Sequence, residues 1–442
     1  MKVLVSLLST VALSPLLAFS EPAAPGSPIT LAQAIDAVLA RYPSLDAAQA
    51  AVDAARGRTI QSKSARMPQV SLDAEYRYLS LRPYAAFSSS AGTNLLYETI
   101  RDSYTATIQA SQLLTDFGRT DALVALAKSG EMSARDALSQ ARNQLGYQTI
   151  QSFYSALLLR EAVSVADGEI RALEEARRIS EKRFSGGTAT RFDVLTTEVR
   201  LANARNARTD RVASLEKVEA QLRRLLGYEA GSPVVLSGAL DVPGQQPEMT
   251  ATIEEGLKNR PEIRLARDAE ASAGLRLDVA ARENRPTLAA QVAAGLEDGN
   301  LPNMYDNRGY ITAGVGVSVP IFTGNRITGE RIQARADLRA ARDQVGEVSR
   351  TITADVEEAF AGFRAAQQRL FSADTLVAQA QEALALAKSR YTNGVITNFE
   401  LLDAQSNASS AELSRLQARY DCILARQAVA RAAGHEPQAQ PN

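Results

Sequence analysis

"RFSGGTATRFDVL" runs from Arg183 to Leu195, and "RYTNGVITNFELL" runs from Arg390 to Leu402. Arg, an aromatic, Gly, Thr, Phe, an acid and Leu recur in step, 207 residues apart. Gly186-Gly187 and Asn393-Gly394 are helix C-terminal signals, because Gly and Asn tolerate the left-handed backbone. Thr190 and Thr397 can cap a following helix, with Asp193 and Glu400 near its positive end. Each stretch therefore reads as the tight tip of a helical hairpin. Turn geometry alone does not ask for the matching side chains beyond the glycines.

The repetition extends outward from the tips. "ARYPSL" around Pro43 matches "KNRPEI" around Pro261, and "ARMPQV" around Pro68 matches "ENRPTL" around Pro286, both at an offset of 218. "TDFGR" at Thr115 to Arg119 matches "FTGNR" at Phe322 to Arg326 at 207, as does Gly227-Tyr228-Glu229 with Gly434-His435-Glu436. One insertion of 11 residues between Pro68 and Asp116 accounts for the change of offset. So long a period is a duplicated domain and not a solenoid.

Each copy has the same internal order. Pro43 and Pro261 suit a first helical turn, and Pro68 and Pro286 end the helical pattern. Residues with a period of two follow. Val70, Leu72, Ala74, Tyr76 and Tyr78 alternate with Ser71, Asp73, Glu75 and Arg77; Tyr104, Ala106, Ile108 and Ala110 alternate with polar neighbours. Leu288 to Leu296 and Ile311 to Val319 alternate in the second copy. That is strand alternation, at about the ten residues that a tilted membrane-spanning strand needs. Asp73, Glu75 and Arg77 on the alternate face suit a water-filled lumen. The segments Leu81 to Ser103 and Glu297 to Arg308 read as loops of unequal length. Thr120 to Phe184 and Ile327 to Tyr391 then run 65 residues each without Pro. Unbroken, each would be about 97 Å long. Heptad-like spacing, as in Val163, Ala166, Ile170 and Leu173, implies helical neighbours along their length.

The boundaries expected are a signal peptide over 1–20, a first repeat over 21–229, a linker over 230–250, a second repeat over 251–436 and a disordered tail over 437–442. Within the first repeat the strand pair covers about 69–114, the long helix about 120–184, the tip 185–190 and the return helix 191–226. Within the second they cover about 287–319, 327–391, 392–397 and 398–433. The signal reading rests on Lys2, the apolar run Val3 to Leu17 and the small residues of Ala18-Phe19-Ser20. No cysteine follows that run to take a lipid.

Composition excludes several functions. With 49 basic and 50 acidic side chains the net charge is −1, which gives no electrostatic footprint for nucleic acid. One Cys (Cys422) and one His (His435) permit neither an intrachain disulfide nor a His/Cys metal cluster. His435 is expected in a polar tail, and Cys422 as a small buried apolar group on a heptad helix. Gly314 and Gly316 lie inside a strand and are no phosphate loop. The acids form no paired constellation, so no enzyme and no cofactor are expected.

On the Pro-flanked helices, the two strand pairs and the two tip segments, the chain resembles the TolC family of outer-membrane efflux and secretion channels. The duplication covers about Thr30 to Glu436. The resemblance implies an α+β membrane protein in which three chains, with four strands each, form a 12-stranded outer-membrane β-barrel continued by a long α-helical periplasmic barrel. It implies a homotrimer in outer-membrane lipid, a periplasmic adaptor (membrane fusion) protein, and an inner-membrane transporter of the RND or ABC class. The function implied is a passive exit duct of a tripartite efflux pump or type I secretion system. Adaptor binding falls on Arg183, Gly187, Thr188, Asp193, Arg390, Gly394, Val395, Thr397 and Glu400. A candidate periplasmic gate falls on Lys388 or Arg390 with Asp403. In the first tip Thr188 stands where the family commonly has an apolar residue, as Val395 is in the second. The competing reading is a periplasmic coiled-coil scaffold or adaptor without a pore, which leaves the matched strands unexplained.

Overall fold

A computed structural model of the chain describes residues 27–80, 84–98, 101–242, 248–297 and 308–437. The signal peptide expected over 1–20 and the tail over 438–442 lie outside the described residues.

The chain enters through a two-residue strand, β1 (Pro28–Ile29), and a short helix, α1 (Leu31–Arg41). A capping box starts α1: the Gln33 amide N–H donates to Thr30 Oγ1 at 3.4 Å, and the Thr30 N–H donates to Gln33 Oε1 at 3.0 Å. α2 (Pro43–Ser64) has its proline in the first turn, where a missing N–H costs no hydrogen bond. Two antiparallel strands, β2 (Gln69–Tyr78) and β5 (Asp102–Thr115), flank a hairpin of β3 (Tyr84–Ser89) and β4 (Gly92–Glu98). This hairpin stands in the stretch 81–103 that the sequence reads as a loop. Pairing its strands satisfies backbone groups that an extended loop of that length would leave to solvent.

Then come α3 (Arg119–Ser185), 67 residues long, and its return partner α4 (Arg191–Leu226). β6 (Val235–Leu236) crosses between the halves, and α5 (Met249–Asn259), α6 (Pro261–Arg282), β7 (Thr287–Glu297), β8 (Arg308–Ser318), α7 (Arg326–Thr392) and α8 (Asn398–Ala432) repeat the pattern. "TDFGR" and "FTGNR" are now explained. Phe117 and Gly118 have φ of 53° and 89°, and Gly324 and Asn325 have φ of 58° and 66°. In both copies a left-handed pair turns the last strand into the long helix.

β2, β5, β7 and β8 form one antiparallel sheet in that order, with β2 and β8 at its edges. Its register lines up like with like. Leu72 faces Ile108, Ile108 faces Ala294, and Ala294 faces Ile311. The other face carries Asp73 beside Thr107, then Gly295 and Tyr310. A Cβ on Gly295 would sit 2.7 Å from the Ala106 carbonyl oxygen and 2.8 Å from Thr107 Oγ1. The missing side chain lets Tyr310 reach over Gly295 to Thr107, with 2.7 Å between their hydroxyl oxygens.

The largest core lies around the middle of α3 and the end of α4. Ile35 and Val38 of α1, Ile150 and Phe153 of α3, and Leu222 and Leu225 of α4 pack there. The segment expected as a linker over 230–250 takes part in this core: Val234, Leu236 and Leu240 are buried, and β6 pairs in parallel with β1. α5 begins inside that range, at Met249. α3 packs against α2 and α6 over one part of its length and against α4 and α8 over another; α7 lies along α8. A helix of this length is held by its neighbours and not by a globular core.

Candidate functional site

Each helical tip is a short turn between a long helix and its return partner, built from local hydrogen bonds. In the first, the Thr188 N–H donates to the Arg183 carbonyl at 2.8 Å and the Gly187 N–H to the Phe184 carbonyl at 3.0 Å. In the second, Val395 donates to Arg390 at 2.9 Å and Gly394 to Tyr391 at 3.1 Å. These pairs close the last turns of α3 and α7. Gly187 and Gly394 have φ of 73° and 74°, a conformation that a Cβ would strain.

Capping boxes then open α4 and α8. The Asp193 N–H donates to Thr190 Oγ1 at 3.2 Å while Asp193 Oδ2 accepts from the Thr190 N–H at 2.9 Å. The Glu400 N–H donates to Thr397 Oγ1 at 3.3 Å while Glu400 Oε2 accepts from the Thr397 N–H at 2.7 Å. The Thr397 backbone N–H, then its hydroxyl, hold the Glu400 carboxyl below the ordinary glutamate value. Most of the residues expected at the site thus help to build the turns themselves: Arg183, Gly187, Thr188 and Asp193 in the first, and Gly394, Thr397 and Glu400 in the second. Val395 contributes through its backbone and leaves its side chain 71% exposed. Beside it, Phe192 is 72% and Phe399 58% exposed. Each turn therefore carries exposed apolar side chains.

The two tips are joined to each other. Arg183 Nη2 donates to the Tyr391 carbonyl at 2.9 Å, and its guanidinium carbon stands 4.2 Å from the centre of the Tyr391 ring. Just inside, Asn398 Nδ2 donates to Thr197 Oγ1 at 3.0 Å and to the Asp193 carbonyl at 3.3 Å. Ser180 Oγ donates to Asn398 Oδ1 at 3.5 Å. Ser180, Thr197 and Asn398 are all buried. Sequence reading passed over Tyr391, Asn398, Thr197 and Ser180 as site residues. A signal for one was present: the counterpart of Asn398 in the first copy is Arg191, so the repeat breaks at the residue that bridges the copies.

Lys388 and Arg390 are exposed on the last turns of α7, and Asp403 is exposed on α8. Within the chain they do not meet; Asp403 Oδ2 accepts from Asn407 Nδ2 at 3.1 Å. His435, expected in a polar tail, is tied down instead. Its N–H donates to the Ala430 carbonyl at 3.1 Å, its carbonyl accepts from the Tyr147 hydroxyl at 3.0 Å, and its Nε2 lies 2.9 Å from Glu255 Oε2. Pro437, expected in that tail, is buried. Cys422 is buried, and desolvation raises its thiol pKa. Among the described residues no group of three or more His, Cys, Asp or Glu could hold a metal ion.

At the other end of the long helices, the sheet exposes an apolar face. Val70, Leu72 and Tyr76 of β2, Ile108 of β5, and Ile311 and Val315 of β8 are all uncovered, Ile311 to 79%. Water is a poor neighbour for such a face, and it exceeds the scattered apolar residues of an ordinary surface. Among the described residues no helix is long and apolar enough to cross a membrane.

The profile of the outer membrane efflux protein family matches residues 34–228 and again 252–435. The alkaline protease secretion protein AprF of Pseudomonas aeruginosa is 26% identical over 341 residues, covering 73% of this chain and 68% of its own. The outer membrane protein TolC of Escherichia coli is 24% identical over 401 residues, covering 86% of this chain and 77% of its own. The crystal structure of the outer membrane protein VceC of Vibrio cholerae has the same fold, with a TM-score of 0.75 at 20% identity over 92% of this chain and 96% of that one.

Proposed function

The chain belongs to the outer membrane efflux protein family, and from that premise we propose that it is the outer-membrane exit duct of an efflux pump or type I secretion system. The observation that carries this is a one-sided four-stranded sheet joined directly to two very long helical hairpins. The apolar face meets lipid and the polar face lines water. The helices extend the passage into the periplasm.

Three copies complete the wall. Open edges in hydrocarbon leave backbone N–H and C=O groups unpaired, so spanning sheets close. β2 and β8 run in opposite senses at the two edges, so β8 of one copy can pair antiparallel with β2 of the next. Three such sheets give a 12-stranded barrel, within the range known for outer-membrane barrels. Two structural repeats, 21–229 and 251–436, supply each copy with matching wall segments.

The tips receive a periplasmic adaptor, which links the duct to an inner-membrane transporter of the RND or ABC class. Arg183, Gly187, Thr188, Asp193, Arg390, Gly394, Val395, Thr397 and Glu400 form that docking surface: the local turns hold it rigid and the exposed apolar side chains supply contact area. Lys388 or Arg390 meets Asp403 between neighbouring copies at the closed end. Adaptor binding favours the open population and so shifts the equilibrium. Conduction is passive, and the transporter supplies the energy.

The test is extraction from isolated outer membranes in mild detergent, followed by light scattering. A protein mass about three times that of the chain is expected from the edge-closure argument. A soluble monomer or dimer recovered from the periplasm would overturn it.

A further inference from the structure

α4 and α8 both start at the tips and run in the same direction, each packed on α3. Between them, over α3, lies a cavity of about 410 Å³. That size is in the range of sites for small organic ligands. Arg200, Ala204, Ala207 and Arg211 line it from α4 at spacings that put them on one helical face. Gln405, Ser406 and Ser409 line it from α8, and Glu169 and Leu173 form its floor on α3.

The charges do not cancel. The cavity has two arginines and one acid. Burial raises the Glu169 carboxyl and the Arg211 charge pulls it back down, which places these two in each other's field. Arg200 is left over. It is half-buried and makes no ion pair with any described residue; its guanidinium carbon lies 5.4 Å from the centre of the Phe399 ring. Gln405 is only 6% exposed, and its Nε2 finds no acceptor among the described residues. Buried amide donors almost always have a partner. Arg200, the Gln405 amide and the serine hydroxyls can all donate, so the occupant they suit is rich in acceptors and negative. Leu173, Ala204 and Leu402 add an apolar patch against one side.

We propose that this cavity binds a small organic anion, with a carboxylate or phosphate head on Arg200 and an apolar body against Leu173, Ala204 and Leu402. Such a ligand touches both hairpins at once. By linkage it stabilises whichever arrangement of α4 and α8 forms the site. Its failure would leave the light-scattering result untouched.

The test titrates the full-length protein in detergent with 4-fluorobenzoate, read by fluorine NMR against empty micelles. Saturable binding is expected. Arg200→Gln should weaken it by about ten-fold or more, the usual effect of losing one charge-assisted hydrogen bond. Arg205→Gln should leave it unchanged, because Arg205 pairs with Glu174 and does not line the cavity. Ser406→Leu fills the mouth of the cavity from the exposed face of α8 and should block binding with the helices intact. Inorganic phosphate should compete, since the head position is shared. Non-saturable binding, or equal affinity in wild type and Arg200→Gln, would overturn the proposal. So would binding of neither anion, which would leave the cavity to a polypeptide side chain.

Discussion

Arg183, on the last turn of α3, holds Tyr391, on the last turn of α7, by two contacts at once: a hydrogen bond to its carbonyl at 2.9 Å and a guanidinium 4.2 Å above its ring. The partners are 208 residues apart in the chain. Their repeat counterparts, Arg390 and Phe184, do not make the reciprocal contact among the described residues. This tie is therefore made from one side only, with the Asn398 bonds joining the hairpins just inside it. Arg183→Gln removes the charge and the stacking, with a local cost of about 1–2 kcal/mol. Amide exchange over Tyr391 to Thr397 should rise by about ten-fold, while exchange in the first tip changes little. Equal acceleration in both tips would mean that the contact is not what holds them.

Asn398 answers three groups at once, the buried hydroxyls of Ser180 and Thr197 and the Asp193 carbonyl. Asn398→Ala leaves the hydroxyls of Ser180 and Thr197 without that partner, at a cost of about 1–3 kcal/mol. Limited proteolysis should then cut near the tips sooner. Adding Ser180→Ala and Thr197→Val to it should recover part of the loss, because apolar neighbours no longer need a partner.

The second tip should depend on pH. The Glu400 carboxyl sits below its ordinary value because the Thr397 N–H and hydroxyl favour the charged form. A depressed folded-state pKa gives stabilisation that is complete above the unfolded glutamate value, about 4.3. It is lost as pH falls through the lower folded value. Exchange of the amides that open α8 should therefore speed up on acidification below that value. Glu400→Gln should flatten the dependence, and an unaltered profile in that variant would assign it to another group.

Ile311 and Thr312 are neighbours on β8 and point to opposite faces of the sheet. Ile311→Arg places a charge on the lipid face and should cost about 2–4 kcal/mol near the midplane. Thr312→Arg places the same charge on the water side. The first should be lost from outer-membrane fractions and the second retained. If both are retained, the apolar face does not meet lipid.

Much of this architecture is legible in the order of residues. The capping boxes join residues three apart, so Thr190 with Asp193 and Thr397 with Glu400 can be read directly. Strand alternation needs only neighbours, so β2, β5, β7 and β8 stand out, and the absence of Pro marks α3 and α7. The β3–β4 hairpin is not read, because the first copy is 11 residues longer in that region and the second copy offers no matching sequence to compare with it. His435 is misread for a different reason: a polar composition says nothing about Tyr147, 288 residues away, whose hydroxyl holds its carbonyl.

The linear order of residues is enough to specify the duplication, the long helices, the one-sided strands and the self-capped tips, because each rests on a repeated or short-range pattern. The folded chain adds what no such pattern contains: Arg183 meets Tyr391, Asn398 closes a buried network with Ser180 and Thr197, and β6 lies along β1. Two similar halves offer two equivalent sets of partners, and local pattern cannot choose between them. The choice is made when α8 packs along α3, where space, charge and hydrogen bonding must be satisfied together.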